Sequence, residues 1–215
     1  MTALDRLELA HWRRSTAEMY AELRRVAVDD PTAAWAGFRA TRDALFATHP
    51  QSPFDGERRT TFSGLHYFDY DPKWRIIAKV AGVGEEPSSP SRPSVTLELP
   101  EGTLRYRAFG KAVFKAPAPY DRAYTLTLYW LDGYGGGLFL PFKDLTNGTE
   151  TYGGGRYLYD TIKGADIGAG PDELLLDFNF AYYPSCAYSP RWVCPLSPPE
   201  NSLPFRVEAG ESDVI

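Results

Sequence analysis

Apolar side chains recur every three or four positions through the first part of the chain, which predicts helices. The first helix covers residues 4–26, although Ser15 and Thr16 weaken its middle. A second helix begins where Asp30 can cap it and Pro31 fits the first helical position, and it ends at His49-Pro50.

Arg42 falls on the apolar stripe of the second helix, together with Trp35 and Phe38. A charge on a face that packs against a core is costly without a partner. We therefore predict that Arg42 forms an ion pair with a carboxylate, and that this pair joins the helix to the rest of the fold.

The pattern changes to the two-residue period of strands at about Trp74. Candidate strands cover residues 74–81, 94–99, 104–115, 123–130, 137–142, 155–160, 174–180 and 203–208. Turn residues separate the strands, and there is little helical pattern between them, which favours antiparallel pairing. Strands that follow one another so closely in sequence need either two packed sheets or closure into a barrel to remove their exposed edges. The predicted fold class is mainly β with N-terminal helices (α+β), in which about eight strands form an antiparallel β-barrel or barrel-like sandwich.

The 215-residue length favours a single domain. Within it we expect a helical segment over residues 1–53 and a barrel-like body over residues 54–210, with a proline-rich loop at 181–201. After a terminal strand, the chain is expected to end in a loosely ordered acidic tail between Glu208 and Ile215.

Composition narrows the class of protein. A net charge of −5 argues against nucleic-acid binding, and 43% apolar with 24% charged residues is typical of a globular protein. No stretch is apolar enough to cross a membrane, and the first fifteen residues lack the apolar core of a secretory signal. We expect a cytoplasmic protein with no nucleic-acid or membrane partner; a homo-oligomer is left open.

Strand alternation places several polar side chains together. Asp177 and Asn179 share one face of the strand at 174–180, and Arg156 lies on one face of the strand at 155–160. If these faces point into a barrel, the three residues form a buried cluster that orients a ligand. If they point outward, they are ordinary solvent-facing positions of an antiparallel sheet.

Tyr152 is followed by three glycines, Gly153, Gly154 and Gly155. Glycine allows positive φ or a close approach of the backbone to another group, so a tight bulged hairpin and a ligand-contacting loop are both open. No Gly-Lys-Ser/Thr follows, so this is not a phosphate-binding loop.

The loop at 181–201 combines prolines with aromatic residues, and binding residues often lie on such loops above a rigid scaffold. It contains Cys186 and Cys194, whose spacing does not match a Cys-x-x-Cys redox or zinc motif. Buried free thiols, a disulfide, and metal ligation or a reactive thiol remain three alternatives. Of the three histidines, His66 is the best candidate for catalysis, and no known catalytic His or Ser motif is present.

The chain resembles the bacterial and archaeal family of domain of unknown function 1684 from about Trp35 onward. The most specific matching stretches are Pro141-Phe142-x-Asp144-x-Thr146-x-Gly148, Thr151-Tyr152-x-Gly154-Gly155-Arg156-Tyr157-Leu158, Leu176-Asp177-Phe178-Asn179-x-Ala181-Tyr182, Pro184-x-Cys186-Ala187-Tyr188, Cys194-Pro195-Leu196, Pro199-Glu200-Asn201-x-Leu203 and Ala209-Gly210-Glu211. Tyr183 departs from the family pattern, in which an Asn is expected. The resemblance implies one domain and an important loop, but no activity.

The leading hypothesis is a protein that binds a small molecule in a polar and aromatic pocket of the β-barrel. The candidate ligand-binding residues are Tyr152, Arg156, Asn179, Tyr182, Tyr188 and Asn201. The alternative is an enzyme acting on a small molecule in the same pocket, for example in a biosynthetic pathway, with Asp177 or Glu200 as acid/base and Cys186 as nucleophile. A third reading is an interaction protein with an exposed aromatic patch. No cofactor is identified and no metal ligands are assigned.

Overall fold

The computed structural model describes residues 2–82, 93–99 and 102–213 of the chain. Its helices are α1 (Ala3–Val26), α2 (Pro31–Thr48) and α3 (Gly56–Thr61). The two helices predicted from the sequence are confirmed. α1 runs unbroken through Ser15 and Thr16, and the Thr16 hydroxyl donates to the Trp12 carbonyl within the helix at 2.9 Å. The short α3 was not predicted; Asp55 caps it by accepting from the Arg58 amide at 2.9 Å.

The described residues contain seven strands: β1 (Arg75–Gly82), β2 (Ser94–Leu99), β3 (Gly102–Lys115), β4 (Ala123–Leu131), β5 (Leu138–Phe142), β6 (Arg156–Asp160) and β7 (Glu173–Asp177). They form one antiparallel sheet in the order β6-β5-β4-β3-β1-β7, with β2 paired to the first half of β3. The sheet curls into a half-barrel, and the predicted class, mainly β with N-terminal helices, is confirmed.

The main core lies between the helices and the curled sheet. Tyr20 of α1 packs edge-on against Phe38 of α2 with ring centroids 5.5 Å apart, and Phe38 packs in turn on Phe180 at 5.2 Å. The apolar stripes of the two helices therefore join one core with side chains of the sheet and of the segment that follows the last strand.

The predicted strand at 203–208 is wrong. This stretch belongs to a C-terminal segment, residues 203–213, that is irregular and mostly buried. Pro204 has no N–H to give to a ladder, and the carbonyls of Val207 and Ala209 accept from Arg156 instead of from a strand. The expected loose tail is also wrong, since Glu211 is only 1% exposed; Val214 and Ile215 lie outside the described residues.

The strand predicted at 174–180 ends early. β7 stops at Asp177, and Phe178–Phe180 form a single 3₁₀ turn because the Asp177 carboxylate accepts from the Asn179 amide at 3.2 Å. The turn breaks the two-residue alternation, so the apolar and the polar residues of this stretch are all buried.

Candidate functional site

Arg156 opens β6 and is fully buried. Its Nη2 donates to Asp144 Oδ2 at 2.8 Å and to the Val207 carbonyl at 2.9 Å. Its Nη1 donates to the carbonyls of Ala209 at 2.5 Å and Glu211 at 3.2 Å. The fork of guanidinium donors suits several acceptors at once. Arg156 therefore fastens the C-terminal segment to the sheet.

Asp177 and Asn179 form a second, separate buried group. Asp177 Oδ2 accepts from Arg75 Nη1 at 2.9 Å, and Asn179 Nδ2 donates to Asp177 Oδ1 at 2.9 Å. Burial raises the pKa of the Asp177 carboxyl, and the hydrogen bonds from Asn179 and Arg75 oppose that rise. Of the two alternatives for these residues, the buried one holds, since all three are fully buried. No hydrogen bond or ion pair of the described residues links Asp177 or Asn179 to Arg156, so they do not form one cluster.

Asn201 is fully buried and joins two strands where their ladder is interrupted. Its Nδ2 donates to the carbonyls of Thr127 at 2.9 Å and Pro141 at 2.7 Å, and its Oδ1 accepts from the Thr127 amide at 2.7 Å. Glu200 is exposed and accepts a hydrogen bond from Tyr129 at 2.7 Å. Both residues lie away from the larger cavity described next.

A cavity of about 620 Å³ lies between the 61–66 segment, the start of the 181–201 loop and the C-terminal segment. Of the predicted ligand-binding residues, it brings together Tyr152 and Tyr188, and it also includes His66, the histidine favoured for catalysis. Tyr182 instead lines a smaller cavity of about 70 Å³ and exchanges two backbone hydrogen bonds with Tyr157, at 2.9 and 3.1 Å. The larger cavity is also lined by residues that the sequence did not mark as a site: Phe54, Arg58, Phe62, Tyr183 and Glu211.

Glu211 is the buried anchor at the base of this cavity. Its Oε2 accepts from Arg42 Nη2 at 2.9 Å and from the Tyr183 amide at 2.9 Å, and its Oε1 accepts from the Tyr188 hydroxyl. Arg42 Nε also donates to the Tyr67 hydroxyl at 2.8 Å. The predicted ion pair of Arg42 is therefore confirmed, and its partner comes from the segment expected to be a loose tail. Burial raises the pKa of Glu211, against the opposing charge of Arg42.

Three tyrosine side chains with different hydrogen bonding face the cavity. The Tyr188 hydroxyl donates a hydrogen bond to Glu211, and the Tyr152 hydroxyl oxygen lies 3.8 Å from Cys186 Sγ. The Tyr183 hydroxyl makes no hydrogen bond of ordinary geometry within the described chain, although the Tyr152 amide faces it.

Cys186 and Cys194 are both half-buried and are not bridged. The Cys194 thiol and the Tyr152 hydroxyl both hydrogen-bond to Cys186, and these bonds lower the pKa of Cys186 to about 6, with the Cys194 bond as the largest cause. The pKa of Cys194 is raised by the same contact and by burial. Cys186 is therefore the more acidic thiol of the pair, and Cys194 is the thiol that donates the hydrogen bond.

The glycine run holds the loop against the sheet. At Gly155, where φ is +98°, a Cβ atom would lie 2.7 Å from the Phe142 carbonyl oxygen and 2.8 Å from Ser197 Cβ. The Ser197 amide donates to the Gly154 carbonyl at 3.2 Å. The glycine run therefore allows a close approach of the backbone, and the group it approaches is the 181–201 loop of the same chain.

His66 is exposed at the cavity wall, whereas the other two histidines pair with each other. His11 Nδ1 lies 2.9 Å from His49 Nε2, and the Gln51 amide donates to His49 Nδ1 at 3.0 Å. His49 Nδ1 is thus an acceptor, so its Nε2 carries the proton given to His11. Burial lowers the pKa of His49, and the neighbouring His11 lowers it further.

No group of three or more His, Cys, Asp or Glu side chains within the described ranges is placed to hold a metal ion. Over the same residues, every helix is too short or too polar to span a membrane.

Residues 60–212 match the model of the family described as protein of unknown function, DUF1684, and the chain belongs to that family. The chain is also similar to a protein of solved structure, the uncharacterised protein from gene locus rrnAC0354 of Haloarcula marismortui, determined by solution NMR. The two are 37% identical over 81% of this chain and 90% of that chain, with a TM-score of 0.57. No curated protein matches.

Proposed function

We propose that the protein binds a small molecule in the 620 Å³ cavity beside Tyr183. The observation that carries this proposal is a ligand-sized cavity whose wall combines aromatic rings with a few polar side chains. Ligand sites in proteins are commonly concave and aromatic with a few placed polar groups, and their volumes are about 300–1,000 Å³.

The character of the wall indicates the class of ligand. Phe54 and Phe62 supply an aromatic side, with ring centroids 5.1 Å apart, and the Arg58 guanidinium stacks over Phe54 at 4.4 Å. His66 and Asp213 add polar groups at exposed positions of the lining. Because cationic and acidic groups both face the cavity, an uncharged or zwitterionic molecule with a flat apolar part fits it best.

Of the residues proposed from the sequence, Tyr152 and Tyr188 support the site directly. Arg156 supports the proposal indirectly, because it donates to the carbonyl of Glu211, a lining residue. Asn179 and Asn201 bond to the backbone of Asp71 and Pro141, which lie outside the lining. We further propose a cytoplasmic location, which is supported by two unbridged thiols that a reducing compartment would preserve.

If the protein is an enzyme, thiol chemistry at Cys186 is favoured over acid/base chemistry at Asp177 or Glu200 by a specific contact. Cys186 lies just behind the lining, with its Sγ 3.8 Å from the hydroxyl of the lining residue Tyr152, and its pKa is lowered to about 6. Asp177 and Glu200, the acid/base candidates, do not belong to the lining of this cavity.

Binding is tested with aromatic fragments as probes, since they match the cavity wall. Phenol and benzamide are titrated into isotope-labelled full-length protein, and amide shifts are followed by NMR. We expect at least one probe to shift residues of the 61–66 and 183–188 segments in a saturable way.

A space-filling variant and a matched control locate the site. Ala187 lines the cavity, so Ala187→Trp should abolish probe binding, whereas Ala123→Trp, at an exposed position outside the lining, should not. Absence of any saturable shift, or equal binding by the two Trp variants, would contradict the proposal.

A further inference from the structure

Two thiols of the 181–201 loop lie side by side and are not needed for binding in the cavity. Cys186 sits in the 3₁₀ turn Ser185–Ala187, and Cys194 hydrogen-bonds to it from the far limb of the loop. Neither is bridged and both are half-buried, so the pair can be reached by a small reagent.

We propose that this pair is a site of reversible oxidation, in which Cys186 is the attacking thiolate, Cys194 is the resolving thiol, and the oxidant is a low-molecular-weight disulfide such as oxidised glutathione.

The surroundings of the two sulfur atoms differ in the way these roles require. Cys186 receives hydrogen bonds from the Cys194 thiol and from the Tyr152 hydroxyl, whose oxygen lies 3.8 Å from Cys186 Sγ, and the Lys163 ammonium adds a favourable charge. These groups lower the pKa of Cys186 to about 6. Cys194 is the donor in this arrangement, and burial raises its pKa. The thiolate is the nucleophilic form of cysteine, so Cys186 attacks first.

Both limbs of the loop are fixed, which keeps the sulfur atoms close. On the first limb the Ala187 amide donates to the Pro184 carbonyl at 2.9 Å. On the second limb the Tyr157 hydroxyl donates to the Pro195 carbonyl, and the Ser197 amide donates to the Gly154 carbonyl at 3.2 Å. A pair held in this way needs little chain ordering to close, which favours the intramolecular disulfide over a lasting mixed one.

The exchange balances as two displacement steps. The Cys186 thiolate attacks one sulfur of oxidised glutathione, a protein–glutathione S–S bond forms, and the glutathione S–S bond breaks to release one glutathione thiolate. Cys194 then gives its proton to solvent or to that thiolate and attacks the Cys186 sulfur, releasing the second glutathione. The protein dithiol is oxidised by two electrons, and one oxidised glutathione is reduced to two glutathione molecules.

The first test is the pH profile of alkylation of the reduced full-length protein by iodoacetamide, with each cysteine followed by peptide mass. We expect the Cys186 rate to rise with a midpoint near pH 6, and Cys194 to react only above the ordinary thiol range of about 8.5. Tyr152→Phe and Cys194→Ala should both move the Cys186 midpoint upward, and Cys194→Ala should move it further. A wild-type midpoint at or above about 8.5 overturns the proposal without reference to any variant.

The second test is the mass of the protein after incubation with oxidised glutathione. The wild type should lose two hydrogens, and Cys194→Ala should stop with one glutathione attached. Cys186→Ala should react at least about tenfold more slowly at pH 6, since Cys194 is then mostly protonated. A wild type that stays a dithiol in excess oxidised glutathione, or single variants that react equally fast, would overturn it. Fragment binding by the reduced protein is independent of these outcomes.

Discussion

Arg42 and Glu211 are 169 positions apart in the chain, and their side chains form an ion pair, 2.9 Å long, that is almost completely shielded from water. The pair joins α2 to the C-terminal segment at the base of the cavity. It explains how a charged residue can occupy the apolar stripe of a helix, because the carboxylate and the Tyr67 hydroxyl satisfy the guanidinium.

Replacing one partner of this pair should therefore be costly. Glu211→Gln keeps the shape of the side chain but leaves the buried Arg42 charge uncompensated, and we expect the free energy of unfolding to fall by about 3 kcal/mol or more in urea titration. Glu22→Gln is the matched control, since its partner Arg25 is 72% exposed, and it should change stability by less than about 1 kcal/mol. Similar losses in the two variants would show that the buried pair is not a main support of the fold.

Arg156 should not be replaceable by lysine. Arg156→Lys retains the charge but has one nitrogen in place of the two that reach Asp144 and the carbonyls of the C-terminal segment. We expect a loss of about 3 kcal/mol and faster hydrogen exchange at residues 205–211, while Arg25→Lys, in the exposed pair, has little effect. Unchanged protection of residues 205–211 relative to the sheet would rule out the fastening role.

The glycine run provides both a test position, Gly155, and a control position, Gly153, for the close approach of the loop to the sheet. Gly155→Ala forces a side chain into a left-handed φ of +98° and within 2.7 Å of the Phe142 carbonyl oxygen, so it should cost at least about 2 kcal/mol. Gly153→Ala is the control, because its Cβ would meet nothing closer than 3.9 Å and its φ lies outside the left-handed region. Thermal unfolding of both variants gives the comparison; equal melting temperatures would mean that the loop does not need this close approach.

The sequence predicted the elements whose causes are local. α2 begins where Asp30 and Pro31 place it, and β2 and β3 follow the two-residue alternation of their own side chains. β5 and β6 are short apolar or aromatic runs that are buried on both faces. The strand at 174–180 was over-extended because the event that ends it, capping of Asn179 by Asp177, uses polar side chains that also fit an alternating strand.

The site was only partly predictable because its partners are chosen by the tertiary fold. That Arg42 needed a carboxylate follows from its position on the helix, but nothing in the spacing selects Glu211, which looks like part of an acidic tail. Arg156 was matched to Asp177, whereas the fold supplies Asp144 from the preceding turn. Arg58 had no recognisable pattern, since it is an exposed cation on a six-residue helix.

The stacked pair of His11 and His49 should make stability depend on pH. Burial and the neighbouring His11 lower the pKa of His49 below its unfolded value of about 6.5, so below that pH the unfolded chain binds more protons than the folded one. Stability should therefore be greatest above about pH 6.5 and fall as the pH drops through the window below it. His49→Gln removes this titration and should flatten the fall by up to about 1.4 kcal/mol per pH unit, measured by urea unfolding between about pH 5 and 7. His66→Gln, which removes an exposed histidine, should keep the wild-type slope. If His49→Gln keeps the full slope, the loss of stability in acid arises from the carboxylates and not from this pair.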